Sequence, residues 1–366
     1  MNFDLSEEQR LLRDLIEKFA ADRYDAVRRL AYVREADGFS RANWTTLAEM
    51  GVLAFPFDEA DGGFGGGPIE LITIMEAIGR AVATEPLLSA IVLGAGPLAR
   101  GGSTEQRDRW LPLVVSGHAI VALAHGEREA RFGQRPVSTR ATQAGGVVQL
   151  TGAKQMILSG SAADAFVVSA IEADGTVGLY LVDGAAAGLE RRGYRLIDGS
   201  VACDLVLRSV VAEPLSGGGA MLDAVLDDAR LAICAEMLGL MTMMFDATLD
   251  YIKTRSQFGQ PIGAFQAIQH RMAGDYSRLE LSRSQLYRAA GRDPGDVGRP
   301  AAIAAAKAYI SGCATILGED AIQLHGGIGT TEELLVGQAF KRVMLLASLL
   351  GDGDWETRRY LELGAA

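Results

Sequence analysis

Apolar residues recur at helical spacing through the first third of the chain. Leu5, Leu12, Leu15 and Phe19 share one face, and Ser6 followed by Gln9 supplies the reciprocal cap that starts such a helix. The same period predicts helices over 44–50, 69–83, 89–98 and 105–115. From about residue 118 the period drops to two: 120–124, 147–150, 155–158, 166–170, 178–182 and 205–211 are short β-branched or alternating runs separated by glycines, as in an antiparallel barrel or sandwich. Ser216-Gly-Gly-Gly219 ends that pattern. Helical spacing then returns over 221–254, 264–290, 301–324 and a shorter 335–350, which predicts an antiparallel four-helix bundle. The expectation is a mainly α chain with a central β domain. Residues 1–117 would form an N-terminal helical domain, 118–215 a middle antiparallel β domain, and 216–366 a C-terminal helical bundle.

Composition narrows the function. With 366 residues, 49% of them apolar, the chain can fill more than one core. Its 46 acidic and 35 basic residues leave a charge of −11, which repels phosphate backbones and anionic bilayers, so neither nucleic acid nor membrane is expected as partner. Cys203, Cys234 and Cys313 are odd in number and the four histidines are scattered, so no metal site is expected, and a reducing, cytoplasmic setting is. The acidic start lacks the basic-then-apolar order of a signal peptide. The most apolar stretch, 231–245, contains Glu236 and reads as a core helix rather than a bilayer span.

Three motifs carry possible chemistry. Asp61-Gly-Gly-Phe-Gly-Gly-Gly67 has no preceding strand and no terminal Gly-Lys-Ser/Thr, and reads as a turn. Arg255-Ser-Gln-Phe-Gly-Gln-Pro-Ile-Gly-Ala-Phe-Gln266 places a proline and glycines at a helix end. Arg255 there can grip a phosphate, Phe258 can lie on a flat ring, and Gln266 and Gln269 point the same way; a capped helical hairpin is the plainer reading. Gln323-Leu-His-Gly-Gly-Ile-Gly329 ends an alanine-rich helix, where paired glycines expose backbone amides or simply stop the helix. His325 has no acidic partner nearby in sequence and reads as a capping or core residue rather than a base.

Taken with Phe3-Asp-Leu-Ser-Glu-Glu-Gln-Arg10, Trp44 to Gly51 with Pro56 and Gly62-Gly63, and Gly152-Ala-Lys154, these motifs resemble the acyl-CoA dehydrogenase family over the whole chain. The nearest likeness is to the small subunits of pimeloyl-CoA dehydrogenases and to the heteromeric enzymes that shorten steroid side chains. The resemblance implies FAD as cofactor, α,β-dehydrogenation of an acyl-CoA thioester, and a carboxylate that removes the α proton. It places that carboxylate at Leu350, before Gly351, or in a second group at Ala229, before Arg230; neither is acidic here. The flavin-facing segments depart as well: Gly126-Glu-Arg-Glu-Ala130 lacks the usual hydroxyl at Gly126, and Met156-Ile-Leu-Ser159 replaces a stacking indole. By contrast Arg255, Gln257, Phe258, Ile262, Phe265, Gln266, Gln323, Leu324, Gly326 and Gly327 match positions that, in the family, reach across a subunit interface to a neighbour's FAD.

That asymmetry implies an accessory half of an α2β2 assembly whose paired catalytic acyl-CoA dehydrogenase subunit carries the base, with electron-transfer flavoprotein as the implied electron acceptor. Two carboxylates remain as substitutes in this chain. Asp352 is a relocated base or, with Asp354, part of a solvated turn; Glu236 lines a substrate cavity or satisfies an interhelical contact. Asp227 and Arg230 match positions that help hold CoA, or form an ordinary helical pair on a wet face. A self-sufficient dehydrogenase or oxidase, and a non-catalytic acyl-CoA-binding or scaffolding protein, are the competing functions.

Overall fold

The computed structural model describes residues 5–364; Phe3 and Asp4 of the opening motif lie outside them. The chain folds into two compact units, neither contiguous in sequence. One takes the segment up to Ala31, Pro68–Ala83 and the chain from Arg230 on; the other takes Tyr32–Gly67 and Thr84–Ala229. The contiguous division at 117 and 215 stays a proposal on sequence grounds.

In the first unit, helix α1 (Glu7–Arg23) starts at the expected reciprocal cap. Ser6 Oγ accepts from the Gln9 amide at 3.2 Å, and Gln9 Oε1 accepts from the Ser6 amide at 2.8 Å. Its buried face of Leu12, Ile16 and Phe19 packs on α4 (Pro68–Arg80). Helix α2 (Ala26–Arg34), which crosses from this unit into the other and turns Arg29 and Val33 inward, is not among the helices expected from the sequence. The long helices α7 (Gly218–Thr254), α8 (Gln266–Ala290) and α9 (Arg299–His325) precede α10 (Leu335–Ser348) and a further helix, α11 (Gly353–Gly364), whose charged sequence hid it; α9 packs on α8, α10 and α11. Helices α4 and α7 meet backbone to backbone. A Cβ at Gly79 would lie 2.1 Å from the Glu236 carbonyl oxygen, and one at Gly239 would lie 2.0 Å from that of Glu76, so only glycine fits at either place. The stretches Gly218–Thr254 and Arg299–Thr330 are long and apolar enough to cross a bilayer, yet 72% and 61% of their apolar windows are buried inside the protein.

The second unit is built on strands β1 (Val121–Ala124), β2 (Arg140–Ala144), β3 (Val147–Leu158), β4 (Ala165–Ile171), β5 (Val177–Asp183), β6 (Leu189–Arg195) and β7 (Val201–Leu215). Strands β4, β2, β3, β7 and β5 pair in a closed circuit, with β1 added beside β4 and β6 beside β7. The barrel is not wholly antiparallel as expected: β1 runs parallel to β4, and β2 touches β4 in parallel at one position. The segments 147–150 and 155–158 merge into the single strand β3. Its register slips between Lys154 and Ile157, where Met156 takes φ +52°. Strand β6, Leu-Glu-Arg-Arg-Gly-Tyr-Arg, lies exposed and carries no apolar alternation for a sequence reading to find. Helices α3 (Arg41–Glu49), α5 (Gly96–Gly101) and α6 (Thr104–Val115) complete the unit together with a π-helix at Leu87–Ala95, every residue of which is buried.

Candidate functional site

Past the end of α7 the chain forms a small hairpin of β8 (Ser256–Gln257) and β9 (Gln260–Pro261). Its tip, Phe258-Gly259, has φ of +53° and +81°, the paired left-handed residues of a tight hairpin turn. Glycine adopts that geometry freely; a phenylalanine pays about 1 kcal/mol or more for it. Phe258 is nonetheless 92% exposed, resting only edge-on against Phe265 at 6.2 Å. Arg255 and the rest of the hairpin to Pro261 are exposed with it. Gln266 opens α8 and faces solvent. Gln269 does not match it as expected, because its Nε2 turns back to donate to the Gly263 carbonyl at 3.1 Å.

His325 joins this hairpin to the glycine motif. Its Nδ1 donates to the Ala321 carbonyl at 2.8 Å, its ring stacks on Tyr251 with centroids 4.5 Å apart, and Tyr251 donates its hydroxyl to the His325 carbonyl at 3.3 Å. This buried imidazole, held through Nδ1 and its stacked face, acts as a spacer between the ends of α7 and α9. The two motifs therefore share one face. Ile262, Ile268, Arg271, Asp320, Gln323 and Leu324 line a cleft of ≈ 600 Å³ there. A methyl added at Gly327 would meet nothing within 4 Å, so nothing in this chain demands glycine at that point, whereas a closely approaching neighbour would.

The two positions where a base was sought lie around one buried network. Leu350 takes φ +60°, and Ala229 is fully buried. Arg230 is only 1% exposed: its Nε donates to Glu356 at 2.6 Å, its Nη2 donates to the Leu350 carbonyl at 3.0 Å, and its guanidinium lies 5.3 Å from the centre of the Trp355 ring. The expectation of a wet-face pair with Asp227 is corrected by this burial, since Asp227 is buried too. Lys307 Nζ donates to the carbonyls of Gly351 and Ala347, and burial pushes its pKa down to about 8. Cys234 beside it is pushed up to about 12 by burial, which leaves an inert thiol. Sequence reasoning passed over Lys307, although it is the one charged residue between Arg299 and Glu319, which was the available signal.

Both substitute carboxylates have partners within the chain. Glu236 is buried and gripped by Arg342 at 2.6 and 3.1 Å, the interhelical contact of the two readings. Asp352 accepts from the Trp355 amide at 2.8 Å and caps α11.

In the second unit, Met156 is half exposed at its bulge, and Ser159 takes φ +55° with its hydroxyl 2.7 Å from that of Ser89. Beside Gly126, Glu127 and Lys154 form a pair with no exposure on either side chain. Burial works to raise the Glu127 carboxyl. The Lys154 ammonium at 2.8 Å, with hydrogen bonds from the 137–139 loop, overrides it and holds the carboxyl far below the usual carboxylate range.

The model of the acyl-CoA dehydrogenase N-terminal domain matches residues 6–118, and that of the C-terminal domain matches residues 216–360. Mitochondrial isovaleryl-CoA dehydrogenase of Pongo abelii is 31% identical over 386 residues, covering 99% of this chain and 89% of that protein. Among solved structures, the Tcur3481–Tcur3483 steroid ACAD variant aligns with a TM-score of 0.91 and 32% identity over 98% of both chains. The ChsE4–ChsE5 complex from Mycobacterium tuberculosis aligns with a TM-score of 0.93 and 27% identity, over 100% of this chain and 99% of that one. The chain belongs to the acyl-CoA dehydrogenase family, FAD-dependent oxidoreductases that act on CH–CH groups.

Proposed function

We propose that this chain is the accessory subunit of a paired acyl-CoA dehydrogenase, completing an FAD site held mainly by a catalytic partner. The observation that carries this reading is the hairpin: a phenylalanine in a strained conformation, 92% exposed, makes sense only when something covers it. FAD fits the surface beside it. Arg255 offers a guanidinium for phosphate, Phe258 an aromatic face, Ile262 and Leu324 apolar walls, and Gly327 room for close approach. Phe265 meets the Phe258 ring edge-on, Gln257 pairs with Gln260 in the hairpin, and Gln323 lines the cleft. Bound FAD supplies the hydride acceptor.

On this reading, the four positions considered for the base do not provide one among the described residues. Leu350 and Ala229 are apolar, Glu236 is neutralised by Arg342, and Asp352 is spent on a helix cap. Two of the similar structures, ChsE4–ChsE5 and Tcur3481–Tcur3483, are named for two components, which supports a pair of unlike subunits in an α2β2 arrangement. By the same reading the substrate is an acyl-CoA thioester, the electron acceptor an electron-transfer flavoprotein, and the setting cytoplasmic.

The test is to purify the chain alone and co-expressed with a family member that retains the base. Alone it should carry almost no flavin; paired, the complex should be yellow and bleach with acyl-CoA. A lone chain that binds FAD stoichiometrically and bleaches with thioester refutes the proposal.

A further inference from the structure

Gln338 is the one polar residue among the buried residues of α10, and it is only 1% exposed. Its amide uses every group it has. Nε2 donates to the Glu332 carbonyl at 2.8 Å and to the Ala26 carbonyl, at the start of α2, at 3.1 Å, while Oε1 accepts from Arg29 Nη1 at 3.2 Å. Arg29 is buried as well, and its Nε donates to the Val82 carbonyl at 2.9 Å. Val82 lies just past α4 with φ +52°, a conformation that a β-branched residue adopts only where its surroundings enforce it. The guanidinium is thus anchored on fixed backbone before it meets Gln338. Glu332, on the other side, belongs to the turn by which the chain leaves the glycine motif. One residue before Gln338, a Cβ at Gly337 would lie 2.8 Å from the Gly329 carbonyl oxygen and 2.9 Å from that of Thr331, so α10 lies directly on the motif's backbone. At Gly326 and Gly327, by contrast, an added Cβ would meet nothing within 4 Å. Shape alone does not call for an amide at position 338. An apolar side chain of the same volume would fill the place without the desolvation of a buried polar group; what the amide adds is a fixed spacing between α2, α10 and the motif.

We propose that Gln338, held in place by Arg29, is a positioning residue for the glycine motif: it fixes the backbone that the partner's dinucleotide meets while making no contact with the dinucleotide itself. The inference rests on the accessory-subunit reading. A binding surface must be held within about 0.5 Å of its productive outline, by groups that are themselves locked by hydrogen bonds behind it. Gln338 is such a group, reaching back six residues to the Glu332 carbonyl from a helix that Gly337 seats on the motif. Losing that donation strands a carbonyl and loosens the segment by about tenfold.

The test starts on the isolated chain, with hydrogen exchange read by mass spectrometry over residues 326–334 and, as reference, over the middle of α9. Gln338→Met keeps the volume and removes the N–H groups; exchange over 326–334 should rise by about tenfold while the middle of α9 stays as in wild type. Gln338→Glu keeps the shape and the acceptor for Arg29 but has no N–H to donate, so it should behave alike, and it carries the test if the methionine variant does not fold. In the co-expressed complex, FAD release on dilution, followed by flavin fluorescence, should quicken by about the same factor in both. Arg283→Met breaks the 2.5 Å pair with Glu76 between α8 and α4, and should release FAD at the wild-type rate despite a lowered melting temperature. Unchanged exchange over 326–334 overturns the inference without reference to any partner. Exchange that rises while FAD release does not, or release that follows melting temperature through Arg283→Met as well, overturns it and leaves the accessory reading intact. A chain that captures no flavin-bearing subunit overturns the accessory reading, and the positioning role with it.

Discussion

Removing Lys154 should hurt the fold more than removing its partner Glu127. Lys154 Nζ donates to Glu127 at 2.8 Å, to Ser169 Oγ at 3.1 Å and to the His125 carbonyl at 3.2 Å, all out of solvent. Glu127 in turn accepts from the amides of Val137, Ser138 and Thr139 at 2.6, 2.6 and 3.1 Å, and from the Ser138 hydroxyl at 3.1 Å. In Lys154→Met the carboxylate loses its counter-charge. It has no easy escape by taking a proton, because donors already crowd both oxygens, so the cost should be about 3–5 kcal/mol, as for a broken buried pair. In Glu127→Gln the orphaned amine can shed its proton, since burial already brings its pKa down to about 8, and the cost should be about 1–3 kcal/mol. The double variant should cost less than the two singles summed, because the second change removes a group the first left stranded. Thermal and urea unfolding of the three variants against wild type is the assay. Equal or inverted single costs, or strict additivity, would refute this account of the pair.

Four further outcomes follow from the geometry. Gly327→Ala should leave the isolated chain's melting temperature nearly unchanged while cutting FAD retention of the complex, a split visible by comparing calorimetry with flavin absorbance. Glu236→Gln should lower stability by about 1–3 kcal/mol through the loss of the Arg342 pair, yet leave turnover of the paired enzyme intact; lost turnover with unchanged folding would make it a base after all. Glu356→Gln should destabilise by about 3 kcal/mol or more, read by thermal unfolding, because it strands the buried Arg230. Asp275, raised from 3.8 to about 6, is more protonated folded than unfolded. Its penalty is absent below pH 3.8, grows as pH rises through about 6 and stays constant above, so Asp275→Asn should gain about 1–2 kcal/mol near neutral pH and nothing near pH 3.

Most helices were legible because their apolar stripes and caps are local properties, Ser6 with Gln9 being the plainest instance. The β region was legible as a region but not in detail. A strand such as β6 holds its place by backbone pairing to β7 with its side chains in water, and so writes no alternation into the sequence. The candidate surface was readable as two separate motifs; what unites them, the stack of His325 on Tyr251, is a tertiary contact across 74 positions that neither motif announces. Arg230 misled for the opposite reason. Three residues from Asp227 it looks like a surface pair, and only the arrival of Glu356 from the far end of the chain shows that both are inside. Gln269 was misplaced because spacing fixes the side of a helix on which a residue sits, not what its amide finds there.

The turn at Leu350 and Gly351 owes its shape to cations lodged on other helices, Arg230 and Lys307, which hold its carbonyls from behind. Its outline is therefore insulated from whatever side chain occupies position 350. Exchanging that side chain should leave the backbone path between α10 and α11 as it stands, because the contacts that fix it are made by carbonyls.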